Sequence, residues 1–489
     1  MTKQRTTRGV SLLAVGALTL GLSAARASSA RIEVLIRGEG PTAARDVVAR
    51  HGGRIERELQ IIDGLIATLP ADQLAAVSSE PGITVAADRP VAFESVLPGT
   101  SYDPVTQAGS LYETAALIGA PTYWNAGFTG SGIGVAVVDT GVQPSSFFGT
   151  RLVAGTDLSG EGNSLSDGFG HGTHLAGIIG GSSGTVGSSS SFTGIAPAAR
   201  IVSVKVADAA GLTSLVKVLS GLDWVYQNRS NSAYNIKVVN LSLGVPALSS
   251  YVNDPLAASV ERLANVGISV VAAAGNIGPG LGLVSPAYDP SVVAVGSLDT
   301  KDTVSGSDDG PASFSAGAVS TDRRPDLVVP GRSIQGLLAS GSAVAANAPA
   351  SSKIGSSFVV GSGTSQSAAV VSGALALMYQ ERPTFNPASQ KLRIINHSSQ
   401  MEDVDVRVAG SGKLKLQNIL ATADTGTASY TPATASISTI DGAADFAARA
   451  ATLQGSTWSG STWSGSTWSG STWSGSTWSG SSWSSSNWK

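Results

Sequence analysis

An α/β fold, a parallel sheet covered by helices on both faces, is predicted for residues 111–424 of this 489-residue chain. Continuous apolar runs rich in Val and Ile recur there: GIGVAVVDTGV, ARIVSVKVAD, IKVVNLSLG, GISVVAAAGN and SVVAVGSLD. Stretches with helical spacing, LTSLVKVLSGLDWVYQN and PLAASVERLANVG, separate them. Strands buried on both faces and alternating with helices form parallel sheets covered on both sides. Polar residues punctuate the strand ends, where sites of such sheets collect.

The N-terminus reads as an export signal. MTKQRTTR is basic, GVSLLAVGALTLGLSA is apolar but short for a membrane span, and Ala25-Arg26-Ala27 fits an A-x-A cleavage site. Residues 1–27 are therefore expected to be a signal peptide and the mature protein to be secreted and extracellular. A membrane anchor is the competing reading, and the small residues after the tract make it a poor stop-transfer signal.

Residues 28–110 are expected to hold a second, smaller domain. RIEVLIR alternates as a strand, PTAARDVVARHGG reads as a helix ended by Gly52-Gly53, and RIERELQIIDGLIATL reads as two strands. ADQLAAVSSEPG is a second helix and ITVAADRPV a last strand. This β-α-β-β-α-β order is that of a small ferredoxin-like α+β sandwich.

After the α/β part, residues 425–454 read as a linker with a short helix, DGAADFAARAATLQ, and residues 455–489 as a low-complexity tail of STWSG repeats. Seven of the chain's 9 Trp residues stand there at five-residue spacing, from Trp458 to Trp488. A period of five suits neither a helix face nor one strand face. The tail is either a disordered tract or a polyvalent strip stacking Trp rings on glycan, cell wall or another surface, which would keep the protein at the cell surface.

Composition excludes several classes. Charged residues make up 13%, against roughly 25% in an average soluble protein. The net charge is −3 and no basic run follows the N-terminus, so neither nucleic acid nor an anionic membrane is an expected partner. Without cysteine there is no disulfide framework and no thiolate chemistry. No cofactor is expected, and the protein is expected to be a monomer.

GSGTSQS at 361–367 runs straight into AAVVSGALALM. Its small hydroxyl residues suit an ordinary helix start. Equally, Ser365 at the positive end of a buried helix suits a nucleophile, provided a base, an orienting acid and an oxyanion donor exist elsewhere. Asp139 ends one apolar strand, His171 opens an apolar helix after a glycine-rich turn, and Asn276 ends another strand. Imidazole is the side chain whose ordinary pKa suits activation of a hydroxyl; a buried carboxylate fixes its tautomer, and an amide N–H stabilises a tetrahedral oxyanion. These four residues make a complete acyl-transfer set.

VAVVDTGV around Asp139, GHGTHLAGIIGG around His171, AAAGN ending at Asn276 and GTSQSAA around Ser365 resemble the signature blocks of the subtilisin-like serine peptidases. GIAPAARIVSVKVAD, VVNLSLG, ASFSAG and RPDLVVPG agree with them, and the order Asp, His, Ser is the subtilisin order. The resemblance implies a serine endopeptidase with Ser365 as nucleophile, His171 as general base and acid, Asp139 as its orienting carboxylate and Asn276 in the oxyanion hole. It implies that Ser242, Leu243 and Gly244 form the edge strand on which a peptide substrate pairs. It also makes the small N-terminal domain an intramolecular inhibitor and folding aid, cut off between about Phe93 and Glu113.

Ile277, which follows Asn276 where some relatives carry an acid, implies an uncharged rim and an apolar or aromatic P1 residue, the one before the cut bond. Gln366 replaces the oxidisable Met of many relatives. His174 is expected to be a hydrogen-bonded core group, and His51 and His397 to be surface residues. The regions that bind calcium in many relatives read GGSSGTVGSSSSFTG and VQPSSFFG here, without a carboxylate, so the strong family metal site is expected to be missing. Two other functions remain open: a catalytically idle fold acting as an adhesion module through its Trp tail, and a hydrolase of esters.

Overall fold

The computed structural model describes residues 31–38, 41–87, 90–93, 102–247, 251–319 and 323–422. The expected signal peptide, linker and Trp tail lie outside them. No helix among the described residues is long and apolar enough to cross a membrane.

The first unit comprises β1 (Arg31–Arg37), α1 (Pro41–Arg50), β2 (Arg54–Leu59), β3 (Gly64–Pro70), α2 (Leu74–Ser78) and β4 (Thr84–Ala87). Its strands form an antiparallel sheet in the order β2-β3-β1-β4. Alternation along β1 and β3 divides their side chains between two cores. Val34, Ile36, Leu65, Ala67 and Leu69 pack with Val47 and Val48 inside the unit, whereas Leu35 and Ile66 face the rest of the protein. ITVAADRPV, read as one strand, serves two sheets. β4 pairs with β1, while β5 (Pro90–Phe93) leaves that sheet altogether. Proline has no N–H for a ladder and is tolerated at the first position of a strand.

The second unit runs through α3 (Leu111–Ile118), α4 (Ala120–Asn125), β6 (Gly134–Asp139), β7 (Leu152–Asp157), α5 (His171–Gly180), β8 (Arg200–Lys205), β9 (Thr213–Ser214), α6 (Leu215–Gln227), β10 (Ile236–Leu241), β11 (Leu243–Gly244), α7 (Pro255–Asn265), β12 (Ser269–Ala273) and β13 (Val293–Asp299). It continues with β14 (Gly310–Pro311), β15 (Leu327–Pro330), β16 (Ile334–Leu337), α8 (Ala343–Asn347), β17 (Lys353–Ile354), β18 (Phe358–Gly361), α9 (Thr364–Glu381) and α10 (Pro387–His397).

The central sheet has the order β14-β13-β12-β10-β6-β8-β7, with β15 also on β13, and every pairing but β13–β14 is parallel. β6 shows why its run is apolar throughout. Val135 and Val137 enter the core beneath α5 and α9, while Ala136 and Val138 enter the one beneath α6 and α7. Full burial of one such side chain stabilises by about 1.5–3 kcal/mol. α9 is buried all round from Thr364 to Tyr379 because it lies on β10, β12, β13 and β15 and is covered by α5.

The two units meet at a short helical turn, Gln60–Ile62, that packs on α6 and α7. Ile61 and Ile62 are buried there, the Ile61 N–H donates to Asp223 at 2.9 Å, and Arg262 forks onto Asp63.

Candidate active site

Asp139 is the last residue of β6, His171 the first of α5, and Ser365 the second of α9; Asn276 follows β12 by three residues. Parallel strands end on one edge of the sheet, and all four side chains are buried there. His171 Nδ1 lies 2.8 Å from Asp139 Oδ1, which also accepts the Thr140 N–H at 2.8 Å.

The turn before α5 is held by Asp167, a residue that sequence reasoning did not single out. Its carboxylate accepts N–H groups from Gly170 at 2.6 Å and Thr173 at 2.8 Å, and the Thr140 hydroxyl at 2.8 Å. The first turn of a helix leaves N–H groups unpaired, and an acidic side chain satisfies them and favours the dipole. Burial pushes the Asp167 carboxyl up, against these three donors and the Thr173 hydroxyl. A side chain at Gly170, where φ is 109°, would be strained and would meet Ser342 and Val344.

The Ser365 hydroxyl donates to the Ser242 carbonyl at 3.1 Å. Behind it a buried chain runs from the Ser372 hydroxyl to Asn240 Oδ1, from Asn240 Nδ2 to the Ser242 hydroxyl, and from that hydroxyl to the Ser365 carbonyl. Asn276 Oδ1 accepts the Thr364 N–H at 2.8 Å and hydroxyl at 2.9 Å. A backbone N–H only donates, so the Asn276 oxygen must be at that end and its Nδ2 at the other. Nδ2 is buried without a hydrogen-bond partner in the protein, which leaves a donor available to a developing oxyanion. Thr364, which the quoted GTSQSAA block contains but to which the sequence assigned no part in the site, is what aims it.

Leu243 is buried, while Gly244 and Ile277 are half-buried. β5, from the N-terminal unit, lies between β11 and β9 as the middle strand of a small antiparallel sheet. Phe93 stands opposite Leu243 and Ala92 opposite Gly244, with Val91 opposite Thr213 and Pro90 opposite Ser214. Val284 is a further residue that the motifs did not mark. Its N–H donates to the Ala274 carbonyl and its neighbour Ser285 bonds Val245 in both directions. A Cβ at Gly244 would fall 2.4 Å from one Val284 methyl, and a Cβ at Gly275 2.8 Å from the other. The half-buried Val284 side chain therefore fills the gap between the two glycines.

The remaining histidines differ from expectation in detail. His174 is buried, but neither ring nitrogen has a hydrogen-bond partner in the protein; burial, and then the charge of His171, lower its pKa to about 3. It is thus a neutral core group without the bonds expected of it. Next to it, Gln366 is fully buried, with both amide atoms unpartnered. His51 is half-buried between Gln73 and Glu80, the latter bond raising its pKa, and His397 is half-buried near Thr422.

The segment after α5 closes on itself through Gly194 N–H to Gly181 carbonyl and Ser183 N–H to Phe192 carbonyl bonds. Phe192 stacks on Phe358 at 4.8 Å, and Phe147 meets both rings edge-on. No group of three or more His, Cys, Asp or Glu side chains suited to a metal ion occurs among the described residues.

Residues 130–427 match the model of the Subtilase family. The chain is 34% identical to serine protease AprX of Bacillus subtilis over 296 residues, 59% of this chain and 66% of that protein. It is 30% identical to subtilisin E of Bacillus subtilis over 355 residues, 72% of this chain and 79% of that protein. To subtilisin Savinase of Lederbergia lenta it is 34% identical over 278 residues, 57% of this chain and 86% of that protein. A strand-end site of this chemistry on a mostly parallel sheet, together with a family match over more than half its length, establishes that the chain belongs to the subtilase family and is a serine-type endopeptidase.

Proposed function

We propose that Ser365 attacks the carbonyl of an extended peptide while His171 removes its proton, and that His171 then returns the proton to the leaving amine. Asp139 holds the imidazole through Nδ1 and stabilises the imidazolium. Asn276 Nδ2 and the Ser365 N–H receive the oxyanion. Water then hydrolyses the acyl-enzyme through the same base. Rotation of the Ser365 hydroxyl away from the Ser242 carbonyl toward His171 begins the reaction.

The protein is made as a secreted pro-enzyme in this reading, and its N-terminal unit is its own first ligand. The observation that carries it is β5, an extended segment of this chain held by main-chain pairing on both sides beside Ser365. Pairing through backbone atoms favours peptides over simple esters. Ser242, Leu243 and Gly244 are the edge that receives them, and Ile277 borders the site. The Trp repeats, which carry no charge, suit polyvalent stacking on glycan or cell wall after export.

The test compares wild type with Ser365→Ala after expression of the full chain, by intact mass and casein hydrolysis. Wild type should lose its N-terminal unit and digest casein, and the variant should stay full length. In subtilisin, loss of the nucleophile costs about a million-fold in kcat. A processed, active Ser365→Ala protein would overturn the reading.

A further inference from the structure

Lys205 ends β8 with no exposed surface, an expensive place for an ammonium unless it is paired and hydrogen-bonded. Its partners are two. Nζ donates to the Thr140 carbonyl at 2.5 Å and forms an ion pair with Glu161 Oε2 at 3.2 Å, Glu161 being about one-third exposed. In the β6–β8 register Lys205 stands directly beside Asp139, and the Val206 N–H donates to the Asp139 carbonyl at 2.8 Å. The lysine stem crosses under Gly141, where a Cβ would meet its Cδ at 3.2 Å.

Thr140 is the link between this cation and the site. Its carbonyl receives Lys205, its N–H holds Asp139 Oδ1, and its hydroxyl reaches Asp167 while accepting the Gly172 N–H of α5. Glu161 is itself fixed. Its other oxygen accepts the Ala209 N–H at 2.7 Å, in the turn that leads to β9 and so to the edge holding β5. A partly exposed carboxylate is thus paired with a fully buried cation adjoining the Asp139–Thr140 peptide.

We infer that the Glu161–Lys205 ion pair is a positioning device for Asp139, holding the Thr140 peptide in place while keeping the field at the imidazole nearly neutral. The inference rests on the reading of Asp139 as the group that orients His171. Removing one member leaves an uncompensated charge in a poorly screened place. The other charged groups around the pair are Asp139 and His171 across the Thr140 peptide, Asp167 before α5, Asp208 in the turn after β8, and Lys217, whose Nζ donates to the Ser159 carbonyl.

The two members carry opposite charge, so their removal must act in opposite directions. Lys205→Met takes away a cation and stabilises the imidazolium, which moves the acid limb of the kcat/KM profile to higher pH. Glu161→Gln leaves the cation unopposed and moves that limb to lower pH. At an effective dielectric constant of about 20, one unit charge across a single peptide from the Asp139–His171 pair shifts the limb by on the order of one pH unit. A merely structural lesion would lower activity without this reversal of sign.

The experiment measures kcat and KM against pH for wild type, both single variants and Asp139→Asn, on one peptide substrate, using protein from the full chain. Opposite displacements of the acid limb, with kcat lowered about tenfold and KM little changed, are expected. Limbs that stay in place, or move in the same direction, overturn the inference. Should the buried Lys205→Met protein not accumulate, Glu161→Gln decides alone: a limb moved to lower pH supports the ion pair's role, and an unmoved or raised limb overturns it. Asp139→Asn keeps the two readings apart, because wild-type activity in that variant sinks the underlying assignment whatever the ion pair does.

Discussion

Phe93 stands opposite Leu243 in an antiparallel pair, one residue from the point where the Ser242 carbonyl receives the Ser365 hydroxyl. The register carries the chain from Ala92 opposite Gly244, through Phe93, toward the nucleophile. The first bond cut should therefore lie within one or two residues after Phe93, in the early part of the 93–113 interval. N-terminal sequencing of the processed protein checks this; a mature terminus near Glu113 would show that the strand is passed over intact.

Substrate choice should follow Val284. In the proposed binding mode a peptide on Leu243–Gly244 with its carbonyl at Asn276 would direct its P1 side chain between Gly244 and Gly275, and the Val284 methyls occupy that gap. Small P1 residues such as Ala are expected to be cut faster than Phe, whatever the apolar character of Ile277 at the rim. Val284→Gly should raise kcat/KM on a Phe substrate about 10- to 100-fold relative to Ala. A wild type already faster on Phe would contradict this.

Stability of the fold should fall above neutral pH. Glu261 of α7 is pushed up to about 7, first by burial and then by Asp289. Arg37 of β1 opposes the shift, and Asp63, Asp254, Arg262, Arg323 and Tyr251 are the other titratable groups acting on Arg37, Glu261 or Asp289. A carboxyl raised above its ordinary 4.5 stabilises the folded state at pH below that value, and the contribution is lost as pH rises through about 7. The Tm should drop by on the order of a few degrees over that window, and Glu261→Gln should flatten the dependence. A wild-type Tm independent of pH from 5 to 9 would count against it.

The segment 181–194 should depend on rings rather than on a metal. Phe192 is buried against Phe147 and Phe358, so Phe192→Ala should destabilise by about 3–5 kcal/mol. Thermal melts with and without a chelator complete the test: an unchanged Tm on chelation is expected, and a fall of several degrees would reveal an ion elsewhere.

The sequence by itself determined the α/β class and marked Asp139, His171, Asn276 and Ser365 at strand ends and helix starts. Buried parallel strands read as apolar runs, and the glycine-rich blocks at their ends carry local chemistry. Tertiary structure alone decided what surrounds those four residues. Thr364 aims the Asn276 amide, Asp167 holds the turn before His171, and Val284 fills the gap between two glycines; Thr364 and Val284 reach partners far along the chain, and no local pattern announces any of these contacts. The division of ITVAADRPV between two sheets and the burial of Lys205 under Gly141 are of the same kind. Local pattern specifies an element, whereas which edges pair and which charges meet depends on surfaces brought together only when the chain closes.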